Sequence, residues 1–346
     1  MSATMQNIAD RLGVSLMTVS LALNGKGNLA TATRKRIIST AQEMGYRRNA
    51  AARATATGRF DAVALLLDAD LGRDHMPADL LYGIQQELEK RNMHLTIAHM
   101  SDQQLTSEEH LPKILSNVMA DGLLINYKVR IPTELTELID RHNIPAVWVE
   151  SDRPADCVYH DNIAASRLAT QHLIELGHRR IAFVDNHPTC LTIDSRKPYH
   201  VSLRDRRLSY QKTMEEAGLA PRLIDYDSSG LNTEDRIAQA LHWLSEPAET
   251  RPTAVVSYVG ATAMTIMWAA MQLNLRVPQD LSIITFVDGD AGSQIRPITR
   301  VQLNVREQGR TAIHMLLEKI DKPHQMLKTK TIEPKLVVDQ STARLH

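Results

Sequence analysis

Apolar residues at helical spacing open the chain. Thr4 is a hydroxyl residue ahead of Ile8, Ala9 and Leu12, which predicts an N-capped helix. Gly13 breaks that run, and Ser15 caps a second predicted helix from about Leu16 to Leu23. Two short helices joined by a tight glycine-containing turn make a helix-turn-helix. Thr31 is placed to cap a third helix whose inner face carries Ile37, Ile38, Ala41 and Met44, and Gly45 is its stop.

From Asp61 the texture changes. The apolar run 62–67 has the pattern of a parallel strand buried on both faces. Further strands are predicted at 94–99, 122–125, 146–150, 181–185, 254–257, 282–286 and 335–338. Helical periodicity falls between them, around 80–90, before Ala120, and over 132–142, 164–176, 204–217, 234–244, 261–273 and 306–319. Alternating strands and helices predict parallel sheets wound on both faces. There are too many strands for one compact sheet, so two α/β lobes are expected. Between headpiece and lobes, residues 49–59 are dense in alanine, a linker of marginal helix propensity that orders only against a partner.

Charge sharpens this division. The chain of 346 residues is formally neutral. Residues 1–60 carry Arg11, Lys26, Arg34, Lys35, Arg36, Arg47, Arg48, Arg53 and Arg59 against Asp10 and Glu43, a net of +7, so the remainder carries −7. A basic module on an acidic body is the asymmetry of a nucleic-acid reader; a small helical bundle without a special partner is the plainer alternative. No run of about eighteen apolar residues is present, so no membrane span is expected. The amino terminus lacks the pattern of a secretory signal, and a cytoplasmic location is expected, nucleoid-associated when on DNA. Cys157 and Cys190 fit no metal or redox spacing and are read as reduced thiols.

Enzymatic motifs are missing. No G-x-G-x-x-G follows the first strand, Gly25–Lys26–Gly27 is not a phosphate loop, and no G-x-S-x-G elbow occurs. The histidines, His172 and His178 included, do not fall at metal-ligand spacing. Asp68 and Asp70 form a carboxylate pair whose simpler reading is solvation. Neither catalysis, cofactor nor metal is expected.

The motifs together resemble the Lac repressor family of bacterial transcription regulators over nearly the whole chain. The segments that carry the likeness are IADRLGVSLMTVSLALNG (8–25), GYRRNAAARATATGR (45–59), HLIELGHRRIAFV (172–184), RRLSYQKTMEEAGL (206–219), RPTAVV (251–256) and RVPQDLSIITF (276–286). The resemblance implies an α plus α/β fold: a helix-turn-helix headpiece (1–45), a hinge (46–59), and a two-lobed periplasmic-binding-protein-like core with parallel sheets. The chain is expected to cross between lobes three times, giving a first lobe of 60–158 plus 288–314 and a second of 159–287 plus 315–346. The implied function is a repressor, a homodimer on a near-palindromic double-stranded DNA operator. A small-molecule effector, a sugar or another metabolite, would lie in the inter-lobe cleft. The chain ends at His346 without heptads, which favours a dimer over a tetramer. A solute-binding receptor, or a regulator that has lost its effector response, is the alternative.

The resemblance also assigns residues. Leu16, Met17 and Leu21 on the second helix would meet base edges, and Thr18, Ser20 and Asn24 would meet phosphates. Thr4, Ser15 and Tyr46 belong to the same surface, with Asn49, Ala52, Arg53 and Thr55 in the hinge. Position 21 is often arginine and position 17 often polar in relatives. Leu21 and Met17 can only pack, for instance on thymine methyl groups, and the alternative for Leu21 is headpiece core. Thr55 stands where relatives carry a leucine wedge, and a β-branched polar residue is a poor wedge, so a smaller operator bend is expected. Effector contacts are expected from Asp68, Met76, Glu150, Arg206, Tyr258, Val259, Phe286 and Asp288, with a salt bridge between helices as the alternative for Arg206. Val259–Gly260 and Val287 stand where relatives carry polar pairs, and Ser228, Leu303 and Val305 are small or apolar. The cleft is therefore expected to be less polar than a sugar site, with extra residues within 187–203 near it.

Overall fold

The computed structural model describes residues 3–47, 54, 58–68, 77–100, 119–126, 133–151, 153–185, 201–225, 233–288 and 298–345, with the backbone alone at 68, 100, 225 and 233. The chain forms two compact units, Met1–Phe60 and Asp61–His346.

The first unit holds helices α1 (Met5–Leu12), α2 (Leu16–Leu23) and α3 (Thr31–Glu43). Thr4 and Asn7 form a reciprocal capping box: Thr4 Oγ1 accepts from Asn7 N at 3.2 Å and Asn7 Oδ1 accepts from Thr4 N at 3.0 Å. Gly13 closes α1 in the left-handed conformation at φ 66°. Ser15 caps α2 by accepting from Thr18 N at 3.1 Å. The cap expected at Thr31 is not formed. The helix starts on Thr31, so the N-cap is Ala30, which has no side chain to offer. Ile8, Ala9, Val19, Ala22, Ile37 and Ala41 make the sealed core, with Leu12, Met44 and Tyr46 packed around it. Ile38, expected inside, is 38% exposed, because the buried face of that helix is formed by Ile37, Thr40 and Ala41.

The second unit contains two six-stranded sheets. The first comprises β1 (Ala62–Asp68), β2 (His94–Met100), β3 (Gly122–Asn126), β4 (Ala146–Val149), β5 (Cys157–His160) and β11 (Lys330–Ile332), every pairing parallel. The second comprises β6 (Ile181–Asp185), β7 (Arg222–Asp225), β8 (Ala254–Ser257), β9 (Ser282–Asp288), β10 (Thr299–Leu303) and β12 (Lys335–Val337), with β12 antiparallel to β10 on the edge. Side chains alternate across each sheet, so each carries two apolar layers. Val63, Leu65 and Leu67 face one side of the first sheet and Ala64 and Leu66 the other.

Helices cover these layers. α4 (Ala78–Glu89), α5 (Thr133–Arg141) and α10 (Val305–Asp321) serve the first sheet. α6 (Asn162–Glu175), α7 (Val201–Glu216), α8 (Thr233–Leu244) and α9 (Gly260–Gln272) serve the second. The helix expected before Ala120 lies outside the described residues.

The chain crosses three times between lobes, but two crossings differ from the expected boundaries. β10 belongs to the second sheet, so the second crossing falls after Leu303, not at 287. The expected break at 314 would cut α10 in its middle. That helix buries Val305, Gly309, Ala312, Ile313 and Leu316 against the first lobe and stays with it, and the third crossing comes between β11 and β12. Hydrophobic continuity along α10 and the short polar β10 explain both shifts.

Candidate nucleic-acid interface and effector cleft

On the headpiece, the amino-terminal turn of α2 presents apolar side chains outward. Leu16 is 45% exposed and Met17 67% exposed, while Val19 and Ala22 seal the core behind them. Nothing in the headpiece core needs these two residues. Ser15 Oγ and Thr18 Oγ1 lie 2.8 Å apart, and Asn24 Nδ2 donates to Ser20 Oγ at 3.3 Å, so hydroxyls flank the apolar pair. Leu21 is half-buried, and a Cβ added at Gly27 would come within 3.1 Å of its Cδ1. Leu21 thus braces the loop that follows α2. Arg34 holds that loop by donating to Lys26 O and Gly27 O at 3.2 and 2.9 Å.

In the second unit, polar residues gather at the carboxyl ends of the parallel strands, where α/β folds place ligands. Asn126 ends β3, Glu150 and Ser151 follow β4, and His160 ends β5. Glu150 has φ 55°, a left-handed backbone that L residues seldom adopt. That turn brings its carboxylate back onto β5. Glu150 Oε1 accepts from His160 N at 3.1 Å, from Gln308 Nε2 at 2.6 Å and from the His160 ring at Nδ1, 2.5 Å away. A carboxylate only accepts, so the proton sits on Nδ1. His160 Nε2, Ser151 Oγ and both amide atoms of Asn126 are buried without a hydrogen-bond partner.

The second lobe contributes Arg206 from α7, Tyr258 after β8 and Phe286 from β9. The Arg206 guanidinium lies 4.5 Å from the Phe286 ring centre and 5.1 Å from that of Tyr258. Its Nε donates to Asn162 Oδ1 at 2.9 Å and Nη1 to Tyr258 O at 3.3 Å. Ser202 Oγ lies 2.7 Å from the Tyr258 hydroxyl and fixes that ring. Asn162 joins the two lobes, because its Nδ2 donates to His160 O at 3.1 Å. One amide side chain at the first crossing therefore links the two half-sites.

Residues 4–49 match the family described as bacterial regulatory proteins, lacI family, and residues 170–342 match the periplasmic binding protein-like domain. The chain belongs to the lacI family. The lacI-family regulator is 28% identical over 344 residues to the HTH-type transcriptional regulator RegA of Clostridium saccharobutylicum, covering 96% of this chain and 98% of that one. It is 26% identical over 353 residues to the HTH-type transcriptional repressor PurR of Photobacterium profundum, covering 99% and 100%. Its fold is that of the Lac repressor dimer bound to operator and the anti-inducer ONPF, with a TM-score of 0.78 at 21% identity over 99% of this chain and all of that one. Family membership makes the protein a DNA-binding transcription regulator and not an enzyme.

In this lacI-family chain the structure brings Arg206, Tyr258 and Phe286 together. Glu150 lies in the first lobe, bound to His160 and Gln308. Val259 caps α9, its carbonyl accepting from Ser257 Oγ at 2.8 Å, and Asp288 is exposed at the end of β9. Asp68 ends β1, its backbone registered with Met100. Among the described residues no carboxylate pairs with Arg206, so the alternative of an inter-helix salt bridge is not what is found. Asn49, Ala52, Arg53, Thr55, Met76 and Ser228 lie outside the described residues. In the hinge, Ala54 is helical and buried, and Gly58 N donates to its carbonyl at 2.7 Å. No sequence motif marks Asn126, Ser151, His160, Asn162 or Ser202. A polar residue directly closing an apolar strand run, as in GLLIN (122–126) and CVYH (157–160), was the available signal. Cys157 is a buried thiol donating to Ser151 O at 3.1 Å, and burial pushes its pKa up to about 11, so it is inert. Cys190 lies outside the described residues.

Proposed function

We propose that the protein is a repressor that binds a near-palindromic operator as a homodimer and responds to a small molecule held between its two lobes. The observation that carries this reading is the outward-facing Leu16–Met17 pair on a basic headpiece whose core is complete without it. Exposed apolar side chains at the start of a recognition helix have a use only against another surface, and thymine methyl groups in the major groove supply one.

A dimer is supported by α9, where Met264, Trp268 and Met271 are 40%, 54% and 65% exposed along one helical stripe. The similar Lac repressor structure is described as a dimer on operator. Thr55 is proposed to bend the operator less than a leucine wedge does, which a circular-permutation gel reads directly. Location in the cytoplasm follows from a DNA partner; among the described residues no helix is long and apolar enough to cross a membrane.

The test is selection of genomic fragments by the full-length protein at several salt concentrations. The expected outcome is a small set of pseudo-palindromic sites, bound with steep salt dependence by a species of two chains. Replacing thymine by uracil opposite Met17 should weaken binding several-fold. Recovery of no site above bulk DNA, or a protein that sediments as one chain while bound, would sink the reading.

A further inference from the structure

Arg206 is 6% exposed, yet among the described residues no carboxylate neutralises it. Its protein contacts are a neutral amide, a main-chain carbonyl and two aromatic faces. Buried charges are normally paired, because desolvating an ion is costly and only an opposite charge with good geometry repays it. Val259 follows Tyr258 and Val287 follows Phe286, and the carboxylates that end β6 and β9, Asp185 and Asp288, are not among the contacts of Arg206. The second lobe thus holds a preformed but uncompensated cation on an aromatic platform.

The first lobe offers a different chemistry. There the Glu150 carboxylate is consumed by His160 and Gln308. Two further groups there are unpartnered: the Asn126 amide, with donors and an acceptor free, and His160 Nε2. Each is buried, Asn126 at 0% and His160 at 2% exposure, and each forfeits a hydrogen bond within the protein.

We propose that the effector is a small hydroxylated organic anion. Its carboxylate or phosphate pairs with Arg206, and its hydroxyl groups meet Asn126 and His160 Nε2. This rests on the reading of the cleft as the effector site and narrows what that site accepts. A neutral sugar satisfies the first lobe but leaves Arg206 uncompensated. A bare inorganic anion satisfies Arg206 but leaves the first lobe unpaired. A planar guanidinium fixed at Nε by Asn162 keeps a terminal edge for an oxyanion.

The experiment uses the full-length protein with D-gluconate, D-glucuronate, D-glucose 6-phosphate, D-glucose and inorganic phosphate at constant ionic strength, read by calorimetric titration and thermal unfolding. At least one of the three organic anions is expected to bind ten-fold or more tightly than D-glucose. Arg206→Gln should erase that preference, and Arg206→Lys, which keeps the charge without the fork, should retain it at lower affinity. Without ligand, Arg206→Gln should melt at or above the parent, since an unpaired buried charge has gone. Carboxylate and phosphate sources are separated by comparing glucuronate with glucose 6-phosphate. The proposal is overturned if none of the anions binds, if glucose binds as well as they do, if inorganic phosphate alone stabilises as much, or if unliganded Arg206→Gln melts well below the parent. Genomic DNA selection is run on the same preparation. DNA selection without anion binding removes this inference and leaves the regulator reading; anion binding without DNA selection does the reverse.

Discussion

The two lobes share one architecture but are closed by opposite means. The first is closed by helix α10, which returns from the far end of the chain and lies against α4 with almost no space between them. A Cβ added at Gly83 would stand 2.1 Å from Arg306 O, and one added at Gly309 would stand 2.5 Å from Leu80 O. The glycines permit backbone-to-backbone contact, and the seam is apolar. The second lobe is closed by its carboxyl-terminal strap, and that seam is polar. Ser341 Oγ donates to Ile283 O at 2.6 Å and accepts from Thr299 N at 2.7 Å. His178 reaches Ser282 Oγ and Ala343 O through Nε2, at 3.0 and 3.1 Å, and Thr253 Oγ1 through Nδ1 at 3.0 Å. A neutral ring protonated on Nε2 satisfies all three. A short chain segment with little apolar bulk is held by complete hydrogen bonding, whereas a long amphipathic helix needs only shape.

The contrast breaks most readily at the glycine seam. Gly83→Val is expected to cost about 3 kcal/mol or more, because the opposing atoms are backbone and cannot step aside. Urea unfolding measures it, and an unchanged midpoint would refute the close approach. In the second lobe, Ser341→Ala should cost about 1–3 kcal/mol, since it strands a buried amide and carbonyl together. Hydrogen exchange should then rise around residues 282–285 and 299–303 and not in the first lobe.

Acid separates the lobes by pH window. Burial lowers the His178 pKa below its ordinary 6.5, so the folded protein keeps the ring neutral. Its contribution is full above about 6.5 and declines as pH falls through the lower folded value. Glu87, in the first lobe, is drawn down to about 2, foremost by the hydrogen bond from Lys90, then by His314 and Arg91, against the opposing effect of burial. Its contribution is full above 4.5 and fades toward pH 2. On acidification the strap of the second lobe should loosen first, and pH-jump hydrogen exchange resolved by peptide reads the order. The smallest effect is expected at the exposed Arg276–Asp280 pair, 2.8 Å apart. Arg276→Gln should leave the unfolding midpoint where it was, since solvent screens such pairs.

Legibility from sequence followed the same physics. Strands buried on both faces announce themselves as unbroken apolar runs, and β1, β6, β8 and β9 were all apparent. β5, β7, β10 and β11 were not. They are three to five residues long and carry polar positions such as Arg300 and Gln302, so neither run nor alternation marks them. Missing β10 moved the lobe boundaries. In the cleft, Arg206, Tyr258 and Phe286 were reachable by likeness. Asn126 and His160 were hidden because a single polar residue at a strand end looks like an ordinary terminus. Only the left-handed turn at Glu150 shows why His160 is locked, and no local pattern of side chains encodes that turn.

The threefold crossing has a consequence for biosynthesis. The amino-terminal lobe is translated first, yet its edge strand β11 and its covering helix α10 leave the ribosome almost last, after every strand of the other sheet except β12. Order of synthesis and order of completion are therefore inverted. A nascent chain halted near residue 300 would expose an unroofed apolar sheet, and chaperone occupancy should peak at that length.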